Sequence, residues 1–147
     1  YQQVSGEKSG HQEVVRVRFD SDKISYSNLL QHYWRNIDPL DGQGQFCDRG
    51  DSYRPVIFTA GEQQATAAQS SAASAASELG VSKSKIKVQI RDAVQFWPAE
   101  DYHQDYANNN ELRYRYYRFS CGRDRRLDAV WGERARSGTA WATPVAP

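Results

Sequence analysis

An alanine-rich run from Thr59 to Leu79 ends at Gly80 and is flanked by two short strand-like runs. Alanine has the highest helix propensity, so the run predicts one long helix, and Gly80 is a natural stop. Thr59 and Glu62 form a T-x-x-E pattern, which predicts a capping box at the helix start. Before it, YRPVIFT (Tyr53 to Thr59) predicts a short strand, with Pro55 at an edge or among its first residues. After it, Ile86, Val88 and Ile90 alternate with Lys85, Lys87, Gln89 and Arg91, the period-two signature of another strand. Strands alternating with helices predict a layered α+β or α/β domain.

Upstream, Glu13 to Asp20 (EVVRVRFD) also alternates. That parity predicts a strand with Glu13, Val15, Val17 and Phe19 on one face and Val14, Arg16 and Arg18 on the other. Ser25 is placed to cap a helix whose apolar stripe is Leu29, Leu30, Tyr33, Trp34 and Ile37, ending at Asp38-Pro39. Leu40 to Ser52 holds Gly42, Gly44 and Gly50, has no period and reads as a loop. Pro98 predicts a short helix from Ala99 to Tyr106, followed by a turn at Asn108 to Asn110. Leu112 to Phe119 (LRYRYYRF) fits no single state, and Arg123 to Trp131 predicts a last helix.

The chain has 147 residues, 39% of them hydrophobic, which suits one domain with a packed core. We place the domain at residues 1–132 and a flexible tail at 133–147. A net charge of +1 offers no basic field for nucleic acid. No apolar run approaches the ~20 residues that span a bilayer, so no membrane role is expected. Two cysteines cannot build a disulfide scaffold, and the three histidines show no metal-ligand spacing, so no metal is expected. The sequence contains no methionine, so Tyr1 is not read as a translation start.

Three polar signatures carry candidate chemistry: GHQE at Gly10–Glu13, QFCDRGDSYR at Gln45–Arg54, and WPAEDYHQDY at Trp97–Tyr106. Glu13, set by parity against an apolar layer, is expected to have a raised pKa, because desolvation disfavours its charged form. A neutral carboxylic acid can donate a proton to an oxygen that must leave as water. Glycines around Asp48 and Tyr53 let the backbone approach a ligand closely. In the third signature, Asp-x-His has no serine partner at a strained elbow, so a hydrolase triad is not supported.

In order and spacing, the three signatures resemble the peptide methionine sulfoxide reductase A family, from Tyr1 to about Trp131. The resemblance implies a two-layer α/β sandwich around a mixed sheet, with a ferredoxin-like core. It implies thiol-dependent reduction of peptidyl and free methionine S-sulfoxide, a protein-repair reaction. Glu13 takes the family's role of proton donor, Tyr53 that of hydrogen-bond donor to the sulfoxide oxygen, and Asp48 that of helper. His11, His103 and Tyr106 are supports. The implied reductant is thioredoxin, or dithiothreitol in its place, with no bound cofactor. The implied partners are oxidised proteins or peptides and thioredoxin, and the implied state is a monomer. Cys121, in RFSCGRD, and Cys47 are rival candidates for the resolving cysteine. Nearby Arg118, Arg123, Arg125 and Arg126 are expected to lower the pKa of Cys121 if they lie close.

The family's nucleophile sits in a Gly-Cys-Phe-Trp motif that residues 1–147 do not contain. The chain is therefore read as N-terminally incomplete, and as given is expected to turn over little. The compartment is left open between cytoplasm and an exported form. A second reading is a non-catalytic module that binds oxidised methionine through the same residues.

Overall fold

The computed structural model describes residues 10–141. Its regular elements mix five α-helices with two small sheets, an α+β arrangement. Helix α1 spans Tyr26–Trp34, and the ribbon strands β1 and β2 are Gly44–Gln45 and Asp48–Arg49. Strand β3 is Val56–Thr59, α2 is Glu62–Glu78 and β4 is Gln89–Asp92. The last three helices are α3 (Tyr106–Asn109), α4 (Glu111–Ser120) and α5 (Arg123–Trp131). Strands β3 and β4 pair in parallel, Ile57 opposite Ile90. A parallel pair needs a crossover, and α2 supplies it. No helix among the described residues is long and apolar enough to cross a membrane.

The core forms where α1, α2, β3 and α5 meet: Leu30, Trp34, Ile57, Ala68, Ala72, Ala75, Leu127 and Trp131. Helix α2 buries Ala68, Ser71, Ala72, Ala75 and Ala76, which recur at helical spacing. Their small size lets the large ring of Trp34 lie fully buried against the helix, with its indole N–H donating to Ser71 Oγ at 2.9 Å. A buried indole N–H left unpaired would be costly, so the serine in an alanine stripe is matched to this tryptophan.

Ser25 caps α1 as expected, accepting from the Asn28 N–H at 3.1 Å. The helix stops at Trp34, earlier than Asp38-Pro39, because the Asp38 backbone is engaged elsewhere. Its N–H donates to Gln45 Oε1 and its carbonyl accepts from Gln45 Nε2, both at 2.9 Å. The expected capping box at Thr59 does not form. Thr59 is the last residue of β3, its hydroxyl donates to the Arg91 carbonyl, and Gly61 occupies the cap. The far end of α2 does close at Gly80, which lies at φ 64°. Gly80 N–H reaches Ser77 O and Val81 N–H reaches Ala76 O, the paired bonds of a Schellman motif. Nothing lies within 4 Å of where a Cβ would sit on Gly80. Gly80→Ala should therefore lose only the left-handed backbone preference, about 1–2 kcal/mol in a urea unfolding series.

Three other expectations are corrected, and part of the region expected as a tail makes contacts. Residues 13–20 form no strand, and Val15 and Val17 are exposed, because among the described residues the segment's one backbone bond to a distant segment is Glu13 N–H to Ser52 O (2.9 Å), with no ladder. The 40–52 loop contains the β1–β2 ribbon, Gln45 opposite Asp48. Ala99 to Tyr106 is only a 3-10 turn at Asp101–His103, since Asp105 at φ 50° breaks the helical path, and Asn108 and Asn109 belong to α3. The tail is packed as far as Trp141. Arg35 Nη1 donates to the Thr139 carbonyl and the Arg35 guanidinium lies 5.0 Å from the Trp141 ring centre. The expected tail beyond that, 142–147, lies outside the described residues.

Candidate active site

The β1–β2 ribbon and the turn after it position the site. Gly44, at φ 150°, lets the ribbon close, because a Cβ there would collide with the Asp48 carbonyl oxygen. The 3-10 turn Asp51–Tyr53 then buries Ser52 and leaves Tyr53 half-buried. Since the Glu13 N–H is bonded to the Ser52 carbonyl, the side chains of Glu13 and Tyr53 are brought together, and the Tyr53 hydroxyl donates to the Glu13 carboxylate. The adjacent Gln12 fixes the segment from both sides, donating to Arg54 O at 3.2 Å and accepting from Arg91 at 3.3 Å.

Although Glu13 is exposed as a residue, loss of water around its carboxyl raises its pKa above the ordinary carboxylate value. The Tyr53 hydrogen bond opposes that rise, the negative charge of Asp48 adds to it, and His103 opposes it. Thus Glu13, Tyr53, Asp48 and His103 share one electrostatic neighbourhood. The apolar strand face expected to desolvate Glu13 does not exist; the carboxyl is desolvated outside any strand, and Asp48, remote in sequence, adds to the rise.

Asp48 is half-buried and accepts a hydrogen bond from the Tyr117 hydroxyl of α4. Burial first, then donation to Asp48 and its charge, push the Tyr117 pKa well up, so the phenol stays protonated as a donor. The half-buried His103 packs at a tilt against Tyr102, ring centres 4.2 Å apart. His11 is exposed on the Glu13 segment. Tyr106, half-buried at the start of α3, makes no side-chain hydrogen bond to Glu13, Asp48 or Tyr53 among the described residues. Phe96 lies under the Arg16 guanidinium at 4.4 Å, and Trp97 is exposed. The described residues hold no cluster of three histidine, cysteine or acidic side chains suited to a metal.

The two cysteines are joined. Cys47 and Cys121 form a disulfide with Cα atoms 5.2 Å apart, tying the ribbon to the end of α4. Both candidate resolving cysteines, Cys121 and Cys47, thus sit in one bond. A nearby arginine also has no thiol to ionise here. Arg118 grips Asp124 with contacts of 2.8 and 3.1 Å, Arg126 bonds Asp38 at 2.6 Å, and Arg123 lies 4.4 Å over the Phe46 ring.

A family model described as peptide methionine sulfoxide reductase matches residues 1–135. The chain belongs to the peptide methionine sulfoxide reductase family. It is 47% identical over 133 residues to peptide methionine sulfoxide reductase MsrA 2 of Rhizobium meliloti (strain 1021), covering 90% of this chain and 66% of that protein. It is 49% identical over 132 residues to MsrA 2 of Caulobacter vibrioides, with the same coverage. The MsrA/MsrB protein of Vibrio cholerae is 45% identical over 90% of this chain and 35% of its own length. The chain thus spans just under two thirds of the two MsrA 2 relatives.

Within this member of the reductase family, Tyr117 is the site residue that sequence reasoning missed. A signal was present. Asn110, Tyr114, Tyr117, Arg118 and Cys121 recur at helical spacing and are the half-buried side of α4, whereas Leu112, Tyr116 and Phe119 are exposed. The apolar and aromatic residues lie on both sides of this helix, which hid the inward face.

Proposed function

We propose that residues 1–147 carry the acid side of a site that reduces methionine S-sulfoxide, in peptides and free, to methionine. The Tyr53–Glu13 hydrogen bond, made to a carboxyl whose pKa is raised, carries this reading. A thiolate attacks the sulfoxide sulfur. Glu13, protonated, delivers its proton to the oxygen, and Tyr53 donates a hydrogen bond to the same atom. Asp48, held by Tyr117, orders the hydrogen bonds beside them, and His103 tunes Glu13 electrostatically. His11 and Tyr106 serve as supports of the surrounding walls. Methionine departs and leaves a sulfenic acid, which condenses with a second thiol to a disulfide and releases water. Thioredoxin, or dithiothreitol, then reduces the disulfide by exchange. The partners are oxidised proteins and thioredoxin, and the protein acts as a monomer. In the same reading, α2 across β3 and β4 belongs to a two-layer sandwich with a mixed sheet of ferredoxin-like type.

The attacking thiolate has no free counterpart in the chain, since its two cysteines are bonded to each other. That bond favours the second reading, a module that binds oxidised methionine without turnover, for these residues alone. The test is a chain extended ahead of Tyr1 by a Gly-Cys-Phe-Trp-bearing segment, assayed with dithiothreitol. It is expected to reduce a methionine S-sulfoxide peptide and to spare the R epimer. Binding of the sulfoxide peptide with no methionine formed supports the module, and neither binding nor turnover rejects both.

A further inference from the structure

We propose that the cavity over Cys121 is a docking site for a small, carboxylate-bearing thiol that reduces the Cys47–Cys121 disulfide. This goes beyond the sulfoxide site and does not rest on it. The partly open cavity, about 350 Å³, is lined by Asp38, Phe46, Arg49, Cys121, Arg125 and Arg126 among others. That volume falls at the small-ligand end of the range for binding pockets, ~300–1,000 Å³.

The charges in the wall are unevenly matched. Asp38 is held by Arg126 at 2.6 Å, and Asp41, also in the wall, by Arg49 at 2.5 Å. Arg125 has no carboxylate partner among the described residues. Its guanidinium folds back over the residue next to Cys121: a Cβ on Gly122 would sit 2.9 Å from Arg125 Nη2. A cation with no carboxylate partner among the described residues therefore stands beside Gly122, next to the cysteine that lines a ligand-sized space. A thiol with a carboxylate at the other end satisfies both features. Arginine is suited to such a contact because its fork matches carboxylate geometry.

Cys47 is the more exposed cysteine, but Cys121 is the one that lines the cavity, so a thiol seated there is placed to attack Cys121. The incoming thiolate bonds to Cys121 Sγ, the Cys47–Cys121 bond breaks, and its electron pair leaves on Cys47, which takes a proton from solvent. A second thiol attacks the mixed disulfide, forms the small-molecule disulfide and returns Cys121 as a thiol. Two thiols are oxidised and one protein disulfide is reduced. The bond being cut joins the ribbon that bears Asp48 to the helix that bears Tyr117.

The experiment measures disulfide reduction in the oxidised chain by glutathione and by neutral 2-mercaptoethanol, with rates expressed per thiolate. Arg125→Glu should slow glutathione by roughly fivefold to tenfold, the size of an exposed ion pair lost and reversed, and leave 2-mercaptoethanol within about twofold. Arg125→Lys should retain most of the glutathione rate. Arg125 is exposed and makes no side-chain hydrogen bond among the described residues, so these variants should fold. Rapid acid quench, alkylation and peptide mass analysis should find glutathione on Cys121. An Arg125→Glu variant that reacts with glutathione as fast as the parent, an equal slowing of both thiols, glutathione on Cys47, or two free thiols after air oxidation would each overturn the proposal.

Discussion

Glu13→Gln, placed in the chain extended with the Gly-Cys-Phe-Trp segment, is expected to slow sulfoxide reduction by ~10²–10⁴-fold, the range for losing a positioned general acid. Glutamine keeps the size and the hydrogen-bonding shape but holds no transferable proton. The parent should lose rate as pH rises through the Glu13 pKa, the alkaline limb of a profile whose acid limb follows ionisation of the attacking thiol. That loss should fall above the ordinary carboxylate range, because desolvation of the carboxyl raises the value. In Glu13→Gln this limb of the profile should vanish. The sign of the stability effect separates chemistry from folding. A carboxyl whose folded pKa lies above its unfolded pKa prefers the neutral form when folded. Ionised Glu13 therefore opposes folding at pH above its folded pKa and has no such effect below its unfolded one. Removal of its charge should leave neutral-pH stability unchanged or slightly higher. A full rate with an unaltered pH limb in Glu13→Gln would remove Glu13 as the donor.

Arg35→Met should destabilise the fold by about 3–5 kcal/mol, the cost of breaking one side of a buried ion pair. The Arg35 side chain is fully buried, and its fork grips Glu78 at 3.0 and 2.9 Å at the end of α2. Its other nitrogen donates to Thr139 Oγ1 at 3.1 Å, and Nη2 also reaches the Ala140 carbonyl at 3.3 Å. One guanidinium thus ties the end of α1 to the end of α2 and to the C-terminal segment. Arg134, at 3.5 Å, is a more distant and partly exposed ion-pair partner of Glu78. Because whole domains are stable by only ~5–15 kcal/mol, the variant should unfold at much lower urea concentration. The double variant Arg35→Met, Glu78→Met should lose far less than the sum of the two single losses, since no charge is then stranded. A single-variant loss under ~1 kcal/mol, typical of exposed pairs, would show that the pair is not buried in solution.

Arg35 and Glu78 show why part of the fold was not legible in the sequence. In a chain with 19 basic and 18 acidic residues, nothing local marks these two as partners. The disulfide is similar: the sequence offers two cysteines 74 residues apart, and only the docking of α4 beside the ribbon sets them 5.2 Å apart. The Glu13 segment failed for a related reason. Alternation says which side chains share a face, but a strand exists only where another strand supplies its hydrogen bonds.

Local information was enough for features whose energy is local. Ser25 as a cap, Gly80 as a stop, α5 over Arg123–Trp131, and the half-buried alternation of Ile86, Val88 and Ile90 depend on neighbours a few residues away. The three polar signatures and their order likewise identified the family. Tertiary structure alone decided that Tyr117 holds Asp48, that the Glu13 carboxyl is desolvated without a strand of its own and sits near the charge of Asp48, and that both sulfurs form one bond. Desolvation, charge and disulfide contact depend on distance in space, and a linear chain records only distance along itself.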